Sequence, residues 1–254
     1  MAYLLSNGAV FLHTPKTGGT FISRVLKKLD LVHKSVGGDH IEFDRLFWYD
    51  RFHHDNKVFR NLIRRSLGWL PKINPNGFVF CFVREPLAWY VSYWRYMHGR
   101  DWRPLGDAHN PYHWSPLSLL NGLGDSDFNT FMHNVNRKRP GFVTELYGWY
   151  VRPGIGFVGK TENLQRDLVK VLQMMELDVD VETILSMPPQ NESPSHIALP
   201  QWDPALRKET LKLEYAGYVR FGYPVDDSRI VPALRNGHRA EAPKFAKIEE
   251  AVFE

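Results

Sequence analysis

An α/β fold is predicted, a single domain with a central, mostly parallel sheet flanked by helices, and three features of the 254-residue chain predict it. Short apolar runs at residues 9–13 (AVFLH), 78–83 (FVFCFV) and 155–159 (IGFVG) are each followed by a segment whose apolar residues recur at helical spacing. The second run is apolar almost throughout, as a strand buried on both faces of a sheet must be. The first two runs close in Pro-containing turns. Strands alternating with helices imply a parallel sheet whose ligands gather at the carboxyl ends of the strands.

The elements follow in order. Residues 9–13 run into a Pro/Gly turn at 14–19 and then into FISRVLKKL, where Phe21, Ile22, Val25, Leu26 and Leu29 share one helical face. Residues 78–83 are closed by Arg84, Glu85 and Pro86. Proline suits a first helical turn, and Leu87, Tyr90, Val91, Trp94 and Met97 continue an aromatic-rich helix to about Gly99. Residues 100–127 mix Gly, Pro, His, Asp and aromatics and read as a long loop with one helical turn at 117–120. Helices are expected at 127–136 and 144–150. After the third strand, Thr161 is the candidate N-cap of a helix with Leu164, Leu168, Val171, Leu172 and Met175 on one face. Residues 204–219 read as a last helix. The expected domain is residues 1–225, and residues 226–254 are expected to be extended or partly frayed.

Composition narrows the class. With 43% hydrophobic and 14% aromatic residues the chain can bury a full core. Its 32 basic against 28 acidic residues leave +4, with no long run of like charge, which argues against a nucleic-acid partner and suits a small anionic ligand. A single cysteine, Cys81, excludes an internal disulfide and a cysteine-only zinc site, in keeping with a cytoplasmic location. The first residues lack a signal-peptide pattern, and no window reaches the ~18–20 apolar residues of a membrane span. No metal is expected: His109 and His113 lie four apart, but the proline and tyrosine between them oppose a helical metal pair. Nothing in the sequence sets an oligomeric state.

The informative segment is His13-Thr14-Pro15-Lys16-Thr17-Gly18-Gly19-Thr20, where a strand gives way to a helix. Gly18 and Gly19 let backbone N–H groups approach an oxyanion, the helix N-terminus adds its positive dipole end, and Lys16 adds a full charge. The lysine precedes the glycines, whereas in the nucleoside-triphosphate loop G-x-x-x-x-G-K-[ST] it follows them. The plainer alternative is an ordinary strand-to-helix turn with a solvated lysine.

PKTGGT after a strand resembles the phosphosulfate-binding loop of the sulfotransferases that use 3′-phosphoadenosine 5′-phosphosulfate (PAPS), especially the carbohydrate and Golgi-type branch, which have a P-loop-like fold. FVFCFVREPLAWYVSYW resembles the segment with which that family binds the 3′-phosphate, and Arg84 and Ser92 occupy its arginine and serine positions. Arg suits phosphate through its planar fork. The plainer readings are a helix-start salt bridge for Arg84 and a Ser92 bonded back to its own helix. Residues 156–164 resemble the family's late strand and helix start and support the fold. Asn191-Glu192-Ser193 resembles a polar loop that approaches the nucleotide, which makes Asn191 and Ser193 candidate contacts. These matches are islands between residues 9 and 193.

The resemblance implies transfer of a sulfuryl group from PAPS to a hydroxyl acceptor, with adenosine 3′,5′-bisphosphate as product and no metal. By analogy with phosphoryl transfer, Lys16 and the loop amides, helped by Thr17 and Thr20, stabilise the leaving-group oxygens. Residues 36–41 resemble a family segment that supplies the base, and His40 is the candidate, with Asp39 and Glu42 in reserve. Trp102, Tyr112 and Trp114, among Asp107, His109 and His113, suit a saccharide or other hydroxylated metabolite, or else form a lid packed on its own aromatics. Two other readings compete. A Mg²⁺-dependent P-loop small-molecule kinase would want the opposite lysine order and an acidic metal ligand where His13 and Arg84 stand. A nonenzymatic nucleotide- or glycan-binding protein would keep the loop without the base.

Overall fold

In the computed structural model, which describes residues 2–36, 40–46, 77–109, 114–188 and 198–225, the three expected strands lie side by side. They are β2 (Val10–Leu12), β4 (Val79–Val83) and β5 (Phe157–Lys160). β4 pairs in parallel with both neighbours, Val10 opposite Val79 and Phe80 opposite Phe157. Two further strands, β1 (Ala2–Leu5) and β3 (Val32–Val36), complete the order β3-β1-β2-β4-β5. Both β1 pairings are antiparallel, so the sheet is mixed, with its parallel part formed by the expected strands. Neither β1 nor β3 is among the strands expected from the sequence. β3 shows why: it is an edge strand whose His33, Lys34 and Ser35 are exposed, so no apolar pattern marks it, and a lysine there discourages edge pairing.

Helix α1 (Gly19–Lys28) follows β2, and α2 (Pro86–His98) follows β4, capped by the Glu85 carboxylate, which accepts from Ala88 N–H at 2.5 Å. A 3₁₀ turn at Pro116–Leu120 sits where the loop was expected to coil. α3 (Phe128–Lys138) and α4 (Phe142–Tyr150) come next. After β5 a 3₁₀ turn, Thr161–Asn163, precedes α5 (Leu164–Met174), and α6 (Val181–Ser186) follows. Thr161 does not cap α5: its hydroxyl donates to Val83 O at 2.9 Å and ties β5 to β4. The single helix expected at 204–219 is two, α7 (Pro204–Leu213) and α8 (Tyr215–Phe221), parted at Glu214.

Alternation along each strand buries both sheet faces. Tyr3, Phe11, Phe80 and Phe82 pack with Ile22, Val25 and Leu26 of α1 and with Leu168, Val171 and Leu172 of α5. The other set, Leu4, Val10, Leu12, Val79, Cys81 and Val83, is buried too. Trp89, Tyr90 and Tyr93 of α2 and Tyr147 and Tyr150 of α4 are among the largest fully buried side chains, and Trp89 meets Phe142 at 5.8 Å between ring centroids. Each such side chain contributes about 1.5–3 kcal/mol by leaving water. Residues 1–223 form one compact unit and residues 224–254 a second; the extension expected from residue 226 lies outside the described residues. Among the described residues no helix is long and apolar enough to cross a membrane.

The break at Glu214 has a partner. Its carboxylate is fully buried and accepts from Tyr90 Oη at 2.6 Å, Val143 N–H at 3.0 Å, Thr144 N–H at 2.8 Å and Thr144 Oγ1 at 2.6 Å. The N-cap of α4 is Gly141, which has no side chain to offer, so a distant carboxylate satisfies the orphan N–H groups and faces the positive end of the helix dipole. Gly141 itself must be glycine: its φ is +70°, and a Cβ would sit 2.9 Å from Leu213 O. Glu214→Ala takes the acceptor from two donors in buried bonds, Tyr90 Oη and Val143 N–H, and from the part-buried Thr144 N–H, and we expect it to cost about 3–5 kcal/mol in denaturant unfolding. Glu214→Gln, which keeps one carbonyl acceptor, should lose less; equal losses would show that filling the space matters more than accepting the bonds.

Candidate functional site

Because β2, β4 and β5 run parallel, their carboxyl ends Leu12, Val83 and Lys160 open on one edge of the sheet. The turn after β2 is held in an unusual shape. Lys16 has φ 62° and Gly18 φ 80°, both in the left-handed region. Gly18 is pressed by Leu164, whose Cδ2 would lie 2.7 Å from an added Cβ. Gly19 is pressed by the His13 ring, whose Cδ2 would lie 1.9 Å from one. Thr17 is buried and its hydroxyl donates to Thr14 O at 2.9 Å, which ties the turn to itself; Thr20 is exposed. Trp89 Nε1 donates to Pro15 O at 2.8 Å and so fastens the turn to α2.

The face of α2 towards the turn carries Trp89, Ser92 and Tyr96, spaced by three and four residues. Lys16 Nζ sits 4.0 Å from the Tyr96 ring centroid. Its ammonium is lowered to about 8, first by burial and then by the charge of Arg84. Arg84 stands just past the end of β4, where Tyr147 Oη accepts its N–H at 2.9 Å and donates to its carbonyl at 2.7 Å. The ion pairs among the described residues are Arg45–Glu42, Arg139–Glu145 and Arg152–Asp44, and none involves Lys16 or Arg84. The helix-start salt bridge considered for Arg84 is thus not made, since Glu85 caps α2. The Ser92 hydroxyl is half-buried and makes no bond back to its helix.

His40 lies on the other side of the same turn, with its ring edge-on to His13 at 4.9 Å between centroids. Its Nδ1 is 3.1 Å from His13 O. A carbonyl only accepts, so Nδ1 carries a proton, and in the neutral ring the lone pair is on Nε2. The residue has φ 59°, uncommon outside glycine, and Tyr150 Oη donates to its carbonyl at 2.7 Å. His13 is lowered to about 3 by burial, then by His40, so it stays neutral beside Lys16. Glu42 is buried, accepts from Trp114 Nε1 and has Arg45 Nε 3.3 Å from its second oxygen, so its charge is already committed.

Of the remaining candidates, Asp39, Asn191, Ser193, Tyr112 and His113 lie outside the described residues. Trp102 packs against Phe131 of α3 at 5.3 Å and lies over Gly124. Trp114 instead lies 6.4 Å from Trp149 and under Arg45 at 5.0 Å. His109 is exposed, and its N–H donates to Asp107. Sequence reasoning missed Tyr96, Tyr147, Tyr150 and Glu162. The last accepts from Glu85 N–H at 2.8 Å and from Tyr223 Oη at 3.1 Å, joining the ends of β4 and β5. The 89/92/96 spacing was the one signal that could have pointed to Tyr96.

Comparison with known families matches residues 6–146 to the model of the sulfotransferase family. That span contains the turn after β2, His40, Glu42, Arg84 and Ser92. No curated protein and no solved structure matches the chain.

The crowding at Gly19 is testable by itself. Gly19→Ala should destabilise the protein by about 1–3 kcal/mol through overpacking against the His13 ring. Combining it with His13→Ala should recover much of that loss, because the colliding ring is gone; simple additivity in the double-mutant cycle would place the cause elsewhere.

Proposed function

The chain belongs to the sulfotransferase family, and from that premise we propose that it moves a sulfuryl group from PAPS to the hydroxyl of a saccharide or other hydroxylated metabolite. The observation that carries the reading is the pairing of Lys16 and Arg84. Two cations stand just beyond the ends of adjacent parallel strands, the Lys16 ammonium lowered by burial and then by the charge of Arg84, with no carboxylate paired to either among the described residues. Such an arrangement is favourable only when an anion joins it. A donor with phosphate at both its 3′ and 5′ positions fits: Lys16 and the N–H groups of Thr17, Gly18, Gly19 and Thr20 face the phosphosulfate, while Arg84 and Ser92 take the 3′-phosphate. Asn191 and Ser193 remain proposed contacts.

When bound, the donor supplies a sulfuryl group whose sulfur is attacked in line by the acceptor oxygen. The S–O bond to the 5′-phosphate breaks, and its electron pair stays on the departing bisphosphate. Lys16 and the turn amides hold the charge that gathers on that oxygen. The acceptor's proton goes to His40 Nε2, which carries a lone pair because Nδ1 is spent on His13 O. Glu42, tied to Trp114 and Arg45, serves better as a support of this wall than as the base. Trp114 offers an aromatic face for the acceptor. The carbohydrate-acting branch, independence of metal, a cytoplasmic location, and a catalytic domain of residues 1–225 followed by an extension belong to the same proposal.

Calorimetry with adenosine 3′,5′-bisphosphate and with ADP, with and without Mg²⁺, tests the donor. We expect metal-independent binding of the bisphosphate that Arg84→Ala weakens by roughly tenfold or more, the usual weight of a charge-assisted contact. Preference for ADP with Mg²⁺ would overturn the reading in favour of a kinase. His40→Ala should abolish transfer while sparing bisphosphate binding; surviving transfer would move the base to Asp39 or Glu42.

Lys16 adds a pH signature. Its ammonium is lowered to about 8, so its share of anion binding is present below that value and fades as pH rises through it. A bound anion favours the ammonium, so binding near pH 8 should take up protons, seen as a dependence of the heat on buffer ionisation enthalpy. Lys16→Arg should remove that uptake.

A further inference from the structure

Helix α4 reaches both halves of the site without touching either ligand position named above. Its residues Tyr147 and Tyr150 are one turn apart on the same face, and both rings are fully buried. Tyr147 Oη uses its acceptor and its donor on a single residue, taking Arg84 N–H at 2.9 Å and giving to Arg84 O at 2.7 Å. Arg84 is the first residue beyond β4, where the ladder to β5 has ended and its peptide groups need another partner. Tyr150 Oη gives to His40 O at 2.7 Å and holds that residue in its left-handed backbone conformation, from which Nδ1 reaches His13 O. A phenylalanine would fill either space as well. The two hydroxyls therefore matter for what they bond, and burial pushes both phenols well above their ordinary range, so they remain donors at any working pH.

Resting on the sulfotransfer reading given above, we propose that Tyr147 and Tyr150 are paired positioning residues, Tyr147 setting Arg84 for the donor's 3′-phosphate and Tyr150 setting His40 for the acceptor's proton. α4 is suited to the task because Glu214 fixes its N-terminus from α7 and α8. The same carboxylate accepts from Tyr90, a third buried tyrosine hydroxyl that touches neither Arg84 nor His40.

The three tyrosines define the experiment: Tyr147→Phe, Tyr150→Phe and Tyr90→Phe, each a buried hydroxyl removed. Unfolding should show a loss of stability in all three. Tyr147→Phe should weaken bisphosphate binding roughly three- to tenfold, the cost of about one hydrogen bond, with the pH profile of kcat unchanged. Tyr150→Phe should leave bisphosphate affinity within about twofold, lower kcat and shift its pH profile. Tyr90→Phe should do neither. Affinity and rate that merely follow stability in all three variants would overturn the proposal. Nuclear magnetic resonance of the free protein separates this inference from the reading beneath it. The Arg84 amide should move in Tyr147→Phe alone, and the imidazole titration of His40 should move in Tyr150→Phe alone. If the unmodified chain binds no bisphosphate, the sulfotransfer reading fails and with it the roles assigned here, whereas bisphosphate binding without these selective shifts refutes the positioning alone.

Discussion

Val10 opposite Val79 and Phe80 opposite Phe157 begin two parallel ladders that share β4, and every group at the site takes its place from them. Parallel pairing forces the ends of β2, β4 and β5 to one edge, because each strand must return through a helix to start again on the opposite side. A residue that leaves a parallel strand has lost its ladder partner, so its peptide groups must be met by something else. Here Tyr147 meets Arg84, Trp89 meets Pro15, and Thr161 and Glu162 bridge β5 to β4. The site is assembled from solutions to that one shortage of hydrogen bonds.

The solutions share a chemistry. Trp and Tyr carry a large apolar body with one polar atom at the tip, so a side chain can bury its ring in the layer of helices and still deliver a bond to the strand ends. Tyr147 does so at Arg84, and Trp89 and Tyr150 reach the main chain of Pro15 and His40 in the same manner; all three rings are among the largest fully buried side chains of the described residues. Core packing and site geometry are consequently coupled. The ring that fills the space between helix and sheet is the same ring whose oxygen or nitrogen locates a turn, an arginine or a histidine.

Electrostatics sets a second constraint on this edge. Lys16 and Arg84 are charged, half-buried and mutually unfavourable, and the neighbouring His13 is kept neutral by its burial. Carboxylates form ion pairs elsewhere, yet among the described residues none is ion-paired with these two cations. The turn is held from outside by Trp89, Tyr96, Leu164 and the His13 ring, so its repulsion is borne by packing.

By itself, the amino-acid sequence determined the parallel half of the sheet, the helices after β2, β4 and β5, and the turn with Lys16, Gly18 and Gly19. These features are local: apolar runs, helical spacing and Gly/Pro punctuation act over a few residues and are visible in a few residues. Arg84 and Ser92 stood out by their place after an apolar run and by a likeness to the family segment. What only the tertiary structure decided depends on partners far apart in the chain. Residues 204–219 have the pattern of one helix, and Glu214 shows its purpose only when Val143 and Thr144, 71 and 70 residues away, are brought to it. Tyr147 and Tyr150 look like the apolar face of an amphipathic helix until Arg84 and His40, 63 and 110 residues away, supply the partners for their hydroxyls. His13 looks like the end of a strand, and only folding lays its ring on Gly19 and turns its carbonyl towards His40. Periodicity records which face of an element is buried; the long-range hydrogen bonds that orient a site leave no period, because each is a single meeting of two residues that the rest of the fold brings together.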